Sequence, residues 1–191
     1  AITGQESGFV ADPVVPGLVP RGNDVPGEAA GDEFGAAVSS AGDVDGDGIE
    51  DFAVGAPGAS SNDGYVKVYA GRNLKVLAKL TSAAAPTGTT TGTRFGASLS
   101  GGANVVGDST PELIVGAPLA DPVPQSGPQV PIPDAGAIHL FQGVSGGSFN
   151  RVKSLGGYLT GDSLGRVVAL VGDIDGDGFS EFAAGSSAVA E

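Results

Sequence analysis

Two short stretches of this chain space their carboxylates as an enclosure for a hard cation requires. Residues 43–51 read DVDGDGIED and residues 173–181 read DIDGDGFSE. Like charges this close repel, so a chain that places them at the mouth of an apolar strand needs something to offset the repulsion. Aspartates at positions 1, 3 and 5 of a glycine-kinked loop can aim at one centre. A backbone carbonyl at position 7 and an acid at position 9 then complete an oxygen cage of the kind calcium takes. In the first loop this set is Asp43, Asp45, Asp47, the carbonyl of Ile49, and Asp51. Gly46 and Gly48 permit the backbone angles such a loop demands. In the last loop the set is Asp173, Asp175, Asp177, the carbonyl of Phe179, and Glu181, which makes two expected Ca2+ sites. Glu50 lies off the pattern and reads as a bystander.

A third stretch, NVVGDSTPE (104–112), keeps Asn104, Asp108 and Glu112 but places Val106 at position 3, so this loop is expected to bind weakly or stay empty. Other calcium loops share parts of the pattern. An EF-hand needs a bidentate Glu at position 12 and a flanking helix; here position 12 is Val54 or Ala184, each inside an apolar run. Dockerin and thrombospondin-type repeats share DxDxDG, but the following FAVGAP suits neither a helix nor another acidic turn. A solvated acidic turn with no ion is the remaining alternative. Magnesium fits less well, because it demands a tight octahedron and keeps several waters.

The elements that must position these loops repeat. FGAAVSSAGDVDGDGIEDFAVGAP (34–57), FGASLSGGANVVGDSTPELIVGAP (95–118) and LGRVVALVGDIDGDGFSEFAAGSS (164–187) align without gaps, their starts 61 and 69 residues apart. Each places the acidic loop between two short apolar runs. GYVKVYAG (64–71) and GAIHLFQG (136–143) follow the first two and alternate at period two, which reads as a half-buried strand. VLAKLT (76–81) and FNRVKSL (149–155) supply a fourth strand after glycine-containing turns. Units of four short antiparallel strands, repeating about every sixty residues with almost no helix signal, read as blades of a β-propeller in an all-β chain.

The wording FG…GAP around a DxDxDGxxD loop resembles the FG-GAP repeat of integrin alpha-subunit propellers and their bacterial relatives. Phe34-Gly35 with Gly55-Ala56-Pro57, and Phe95-Gly96 with Gly116-Ala117-Pro118, carry both ends of that motif, whereas the third unit has Leu164 for the Phe and Ser186-Ser187 for Ala-Pro. The expected organisation is a Pro/Gly-rich lead-in (1–27), a first blade (28–81), a second blade (82–155) with a Pro-rich insertion at 119–135, and the first half of a third blade (156–191). That is about two and a half repeats, incomplete as a closed propeller. The resemblance implies seven blades in a closed ring. The unpaired edges of a partial one therefore call for more chain or for pairing with other chains.

Composition narrows the function. A net charge of −13, with nine scattered basic residues, argues against nucleic acid, and no cysteine is present for disulfides or thiol chemistry. No run approaches the length of a membrane-spanning helix. Phosphate-binding glycine loops, nucleophile elbows and zinc spacings are absent, so no catalytic residue is assigned and a non-enzymatic role is expected. Phe34, Phe95 and Leu164 read as plugs between blades, and His139, the only histidine, as an exposed structural residue. Calcium sites of this ligand class bind in the range that fills outside cells, pointing to an extracellular or cell-surface setting. The insertion LADPVPQSGPQVPIPDA (119–135) replaces a six-residue loop of the first unit. It joins strands two and three, so it and the connector at 86–93 lie on the face opposite the acidic loops, the face that integrin-like propellers are expected to use for ligands. The leading expectation is a calcium-stabilised adhesion or surface-assembly module that engages a protein partner, or itself, through that loop face or its unpaired blade edges. The alternative is an accessory propeller of a secreted hydrolase or lipase whose catalytic domain lies outside these residues.

Overall fold

The computed structural model of the protein describes residues 7–8, 25–82, 87–89, 92–124 and 126–187. Most of the expected lead-in, part of the 86–93 connector and the last four residues lie outside the described residues. Near the start, β1 (Ser7–Gly8) pairs antiparallel with β2 (Val25–Pro26). Four strands then form a meander: β3 (Ala37–Gly42), β4 (Asp51–Ala56), β5 (Tyr65–Tyr69) and β6 (Val76–Leu80), hydrogen-bonded in that order. After β7 (Thr87–Thr89), the arrangement recurs with β8 (Ser98–Ala103) and β9 (Glu112–Ala117). The short β10 (Asp121–Pro122) follows, then β11 (Ala137–Val144) and β12 (Ser148–Gly156), giving the sheet order β8-β9-β11-β12. Finally β13 (Val167–Gly172) and β14 (Glu181–Gly185) form an antiparallel pair. The architecture is thus all-β, with two four-stranded antiparallel blades and the first two strands of a third.

Burial explains why the second strand of each unit is written without alternation. DFAVGA and ELIVGA are buried almost throughout, because the sheets stack face to face and their inner strands lose both faces to neighbours. The fourth strands, β6 and β12, are more exposed, and β12 alternates over most of its length. Ala53, Val66 and Val68 of the first sheet meet Leu113, Val115, Phe95 and Phe141 of the second. Ile114 and Ile138 of the second meet Val168, Leu170 and Phe182 of the third. On the far side of the first sheet, Val25 and Phe34 cover Val54, Tyr65 and Tyr69.

The FG and GAP glycines form the seam between sheets. Phe95 bridges to Gly64 and Leu164 to Gly136, each joining the start of one unit to the third strand of the unit before. Beside these bridges the two glycines meet. A Cβ on Gly55 would lie 2.1 Å from the Gly96 carbonyl oxygen, and one on Gly116 would lie 2.0 Å from that of Gly165. Only glycine lets the backbones approach this closely. The motif is a steric contract between consecutive blades.

Two expectations need correction. The stretch 65–69 is buried on both faces apart from a partly covered Lys67, because the second sheet packs against one side of β5 while Val25 and Phe34 cover the other. His139 is buried, with 1% of its surface exposed. Its ring lies 5.5 Å from that of Phe95, and its Nδ1 is 2.8 Å from the Ser154 hydroxyl. The polar handle is satisfied within the sheet, so the residue packs as a core aromatic. Burial, with Arg151 nearby, pulls its pKa down to about 4. The plug reading holds for Phe95, 0% exposed between the first and second sheets, whereas Phe34 is buried against the far side of the first sheet, with no blade beyond it among the described residues. Leu164 is partly buried where Ile114 and Ile138 of the second sheet meet Val168 of the third.

Candidate metal centre

Each acidic loop closes the hairpin between the first two strands of a blade, and each hairpin carries a register shift there: Ser40/Gly42, Gly101/Ala103 and Leu170/Gly172. In the first loop the Asp43 carboxylate is the organiser. Its Oδ1 accepts from the amides of Gly46 and Asp47 at 2.8 and 3.0 Å, and its Oδ2 from Gly48 at 2.8 Å. Gly46 and Gly48 take φ of 80° and 84°, which brings those amides around the carboxylate. Asp45 accepts from the Asp47 amide and Asp47 from the Ile49 amide. Asp51, at the head of β4, is buried. It accepts from Val44 and Asp45 through Oδ2 and from Gly71 through Oδ1. One carboxylate oxygen each from Asp43, Asp45 and Asp51 falls within 4.8 Å of the others.

The last loop repeats this arrangement. Asp173 accepts from Gly176 and Gly178 at 2.7 and 2.9 Å, Asp175 from Asp177, Asp177 from Phe179, and Glu181 from Ile174. Asp173, Asp175 and Glu181 converge within the same 4.8 Å. Two oxygens bound to one calcium at up to about 2.6 Å lie no more than about 5.2 Å apart, so both trios fit that ion. The donors are all hard oxygens, as calcium requires. The fifth-position aspartates, Asp47 and Asp177, stand outside the converging trios, and the side chain of Ile49 points outward, 39% exposed. The Phe179 ring rests over Gly107 of the neighbouring loop.

The second loop keeps the skeleton with different contents. Glu112 is fully buried, and its Oε2 accepts from Val105 and Val106 as Asp51 does from Val44 and Asp45. Its Oε1 has no partner among the described residues. Burial pushes this carboxyl above the ordinary range despite those two amides. Where the other loops aim carboxylates inward, the Asn104 side-chain amide donates to the Asp108 carbonyl. The Asp108 carboxylate accepts from Thr110 and from the Gln142 amide, and these neutral donors, Thr110 first, hold it below the usual carboxylate range. Val106 at position 3 offers no ligand, and among the described residues only the first and last loops bring three acidic groups together.

One partner was not visible in the motif. Arg72, in the turn between β5 and β6, donates from Nε to Asp47 Oδ2 at 2.5 Å and from Nη2 to the Asp47 carbonyl at 3.1 Å. The guanidinium holds the Asp47 carboxyl below the ordinary range. Topology carries the signal that could have found it: in a four-stranded meander the first and third turns emerge at the same end.

The opposite end carries the Pro-rich insertion, which is ordered by backbone contacts. Asp121 and Pro122 pair with β7, Ile132 donates to the Pro122 carbonyl, and Asp134 donates to the Asp121 carboxylate. Between the insertion and β12 lies an open groove of about 640 Å3, lined by Pro122, Pro124, Ile132, Lys153, Leu155 and Tyr158.

The chain is similar in sequence to known proteins. The model of the FG-GAP repeat family matches residues 34–69. Integrin alpha-V of Gallus gallus is 31% identical over 159 residues, covering 83% of this chain and 14% of that protein. Integrin alpha-PS2 of Drosophila melanogaster is 40% identical over 95 residues (47% of this chain, 7% of that one). Integrin alpha-7 of Rattus norvegicus is 43% identical over 89 residues (46% and 7%). The chain therefore spans a small part of these relatives' length.

Proposed function

From the premise that this chain is an integrin-like FG-GAP repeat protein, we propose that it works as a calcium-stabilised adhesion or surface-assembly module in an extracellular or cell-surface setting. The observation that carries the reading is the convergence of Asp43, Asp45 and Asp51 in the first unit, and again of Asp173, Asp175 and Glu181 in the third. Those six carboxylates would hold two ions, with Asp47, Asp177 and the carbonyls of Ile49 and Phe179 as the further donors. The second loop, with its amide–carbonyl bridge from Asn104 to Asp108 beside buried Glu112, would stand without one. Bound calcium would supply positive charge that offsets the carboxylate repulsion and ties the loop to the head of its second strand.

The metal end is then scaffolding, and recognition of a protein partner belongs to the other end, where the insertion pairs with β7 through Asp121 and Pro122. Calorimetric titration of calcium tests the metal part. Two binding events are expected, one removed by Asp43→Asn and the other by Asp173→Asn. A titration without heat, or one insensitive to both substitutions, would defeat the reading.

A further inference from the structure

Arg72 stands out because it takes one carboxylate oxygen and the backbone carbonyl of a residue that the loop pattern reserves for an ion. Asp47 occupies position 5, yet its Oδ1 is taken by the Ile49 amide and its Oδ2 by the Arg72 guanidinium. Arg72 also reaches the Asp47 backbone carbonyl, so the contact is a two-point clamp and not a loose charge pairing. The clamped carboxylate is absent from the trio that converges in this loop. Neither partner is trapped by burial: the Arg72 side chain is 55% exposed and that of Asp47 25%. The guanidinium can therefore leave at little steric cost.

The other loops supply the comparison. In the second, the position-5 Asp108 receives a neutral amide from Gln142, a residue near the end of β11. In the last, Asp177 has the same local turn through the Phe179 amide, and no ion pair reaches it among the described residues. Among the described residues the cationic clamp is found at the first loop, whose blade contains the turn that carries Arg72.

We propose that Arg72 is a tethered counter-cation for the first acidic loop: it holds Asp47 in the ion-free chain and releases it when a divalent cation enters. This rests on the metal reading above. The clamp has two consequences of opposite sign. It pre-forms the loop without an ion, and it competes with the ion for Asp47, raising the calcium concentration at which this loop fills.

Calcium calorimetry on the full chain, with the last loop silenced by Asp173→Asn and Asp175→Asn, isolates the first loop. In that background Arg72→Gln is expected to bind calcium about three- to fivefold more tightly, the scale of one exposed ion pair. The same variant should melt at a lower temperature than its parent in EDTA. Arg72→Lys should move in the same direction for both readouts, because an ammonium cannot serve carboxylate and carbonyl together as the planar fork does. Unchanged or weaker binding by Arg72→Gln overturns the proposal. So does tighter binding by Arg72→Gln with Arg72→Lys equal to the parent, which would reduce the effect to net charge. If the parent with its first loop intact gives no calcium heat, the metal reading itself fails. If the parent binds and the Arg72 variants match it, only the clamp fails.

Discussion

Asp51 and Glu112 occupy the same position of the same loop and show how much one residue carries. Asp51 accepts three backbone amides, from Val44, Asp45 and Gly71, and so ties the acidic loop and the next turn to the head of β4. Asp51→Ala is expected to cost about 2–4 kcal/mol by urea denaturation even in EDTA, because one buried and two half-buried amides lose their acceptor whether or not an ion is present. His139 gives a pH signature. Its folded pKa of about 4 lies below the unfolded value near 6.5, so the native state holds it neutral. Its contribution is intact above about pH 6.5 and declines as pH falls towards 4, by up to about 3 kcal/mol. Glu112, whose carboxyl is pushed upward by burial, works in the opposite sense, since its protonation suits the folded state. Comparing stability between pH 7 and pH 4.5 for the parent and His139→Leu isolates the histidine: the variant should lose less. An equal loss in both would contradict the buried-neutral assignment.

At the scale of elements, the seam glycines carry the sharpest expectation. Gly116 and Gly185 hold the same place in successive units, yet a Cβ on Gly116 would strike the Gly165 carbonyl at 2.0 Å while one on Gly185 would meet only Val167 at 3.8 Å. Gly116→Ala should cost about 2–4 kcal/mol, by forcing two backbones apart. Gly185→Ala should stay within about 0.5 kcal/mol. Chemical denaturation of the pair checks this, and equal costs would mean that the seam is not the reason for the motif. The same elements show what the sequence makes legible. The strands within each blade, their order and the acidic hairpins follow from local patterns that repeat, and repetition multiplies a weak signal, whereas the short pairs β1–β2 and β7–β10 carry no such repeat. The burial of His139 does not follow, because alternation reports one apolar face and is silent about a second sheet stacked on the other. Lys67 shows the same limit: it aligns with His139, yet its ammonium sits 5.5 Å from the Tyr65 ring centroid and 3.4 Å from Glu28. Neither partner is legible from the strand alone. Arg72 was hidden for a related reason, since its contact joins two turns that only the meander brings together.

Across the whole molecule, each sheet touches the sheets before and after it, so stability propagates from seam to seam as in other repeat architectures. The chain commits one end of this stack to acidic loops and the other to the insertion held by β7 and β10. Replacing residues 123–131 with a short Gly/Ser linker keeps the β10 pairing. It should leave the melting temperature within a few degrees while weakening capture of a protein partner, if recognition lies at that end as proposed; unchanged capture would place it elsewhere. The central claim, that the acidic loops are calcium scaffolding, is tested most directly by thermal melts of the full chain in calcium, magnesium and EDTA. Sites with dissociation constants of about 10⁻⁴–10⁻³ M should raise the midpoint by at least about 5 °C in 10 mM calcium relative to EDTA. Magnesium should give a smaller rise, and joint Asp43→Asn and Asp173→Asn substitution should erase the calcium shift. Superimposable melts in calcium and EDTA would contradict the account.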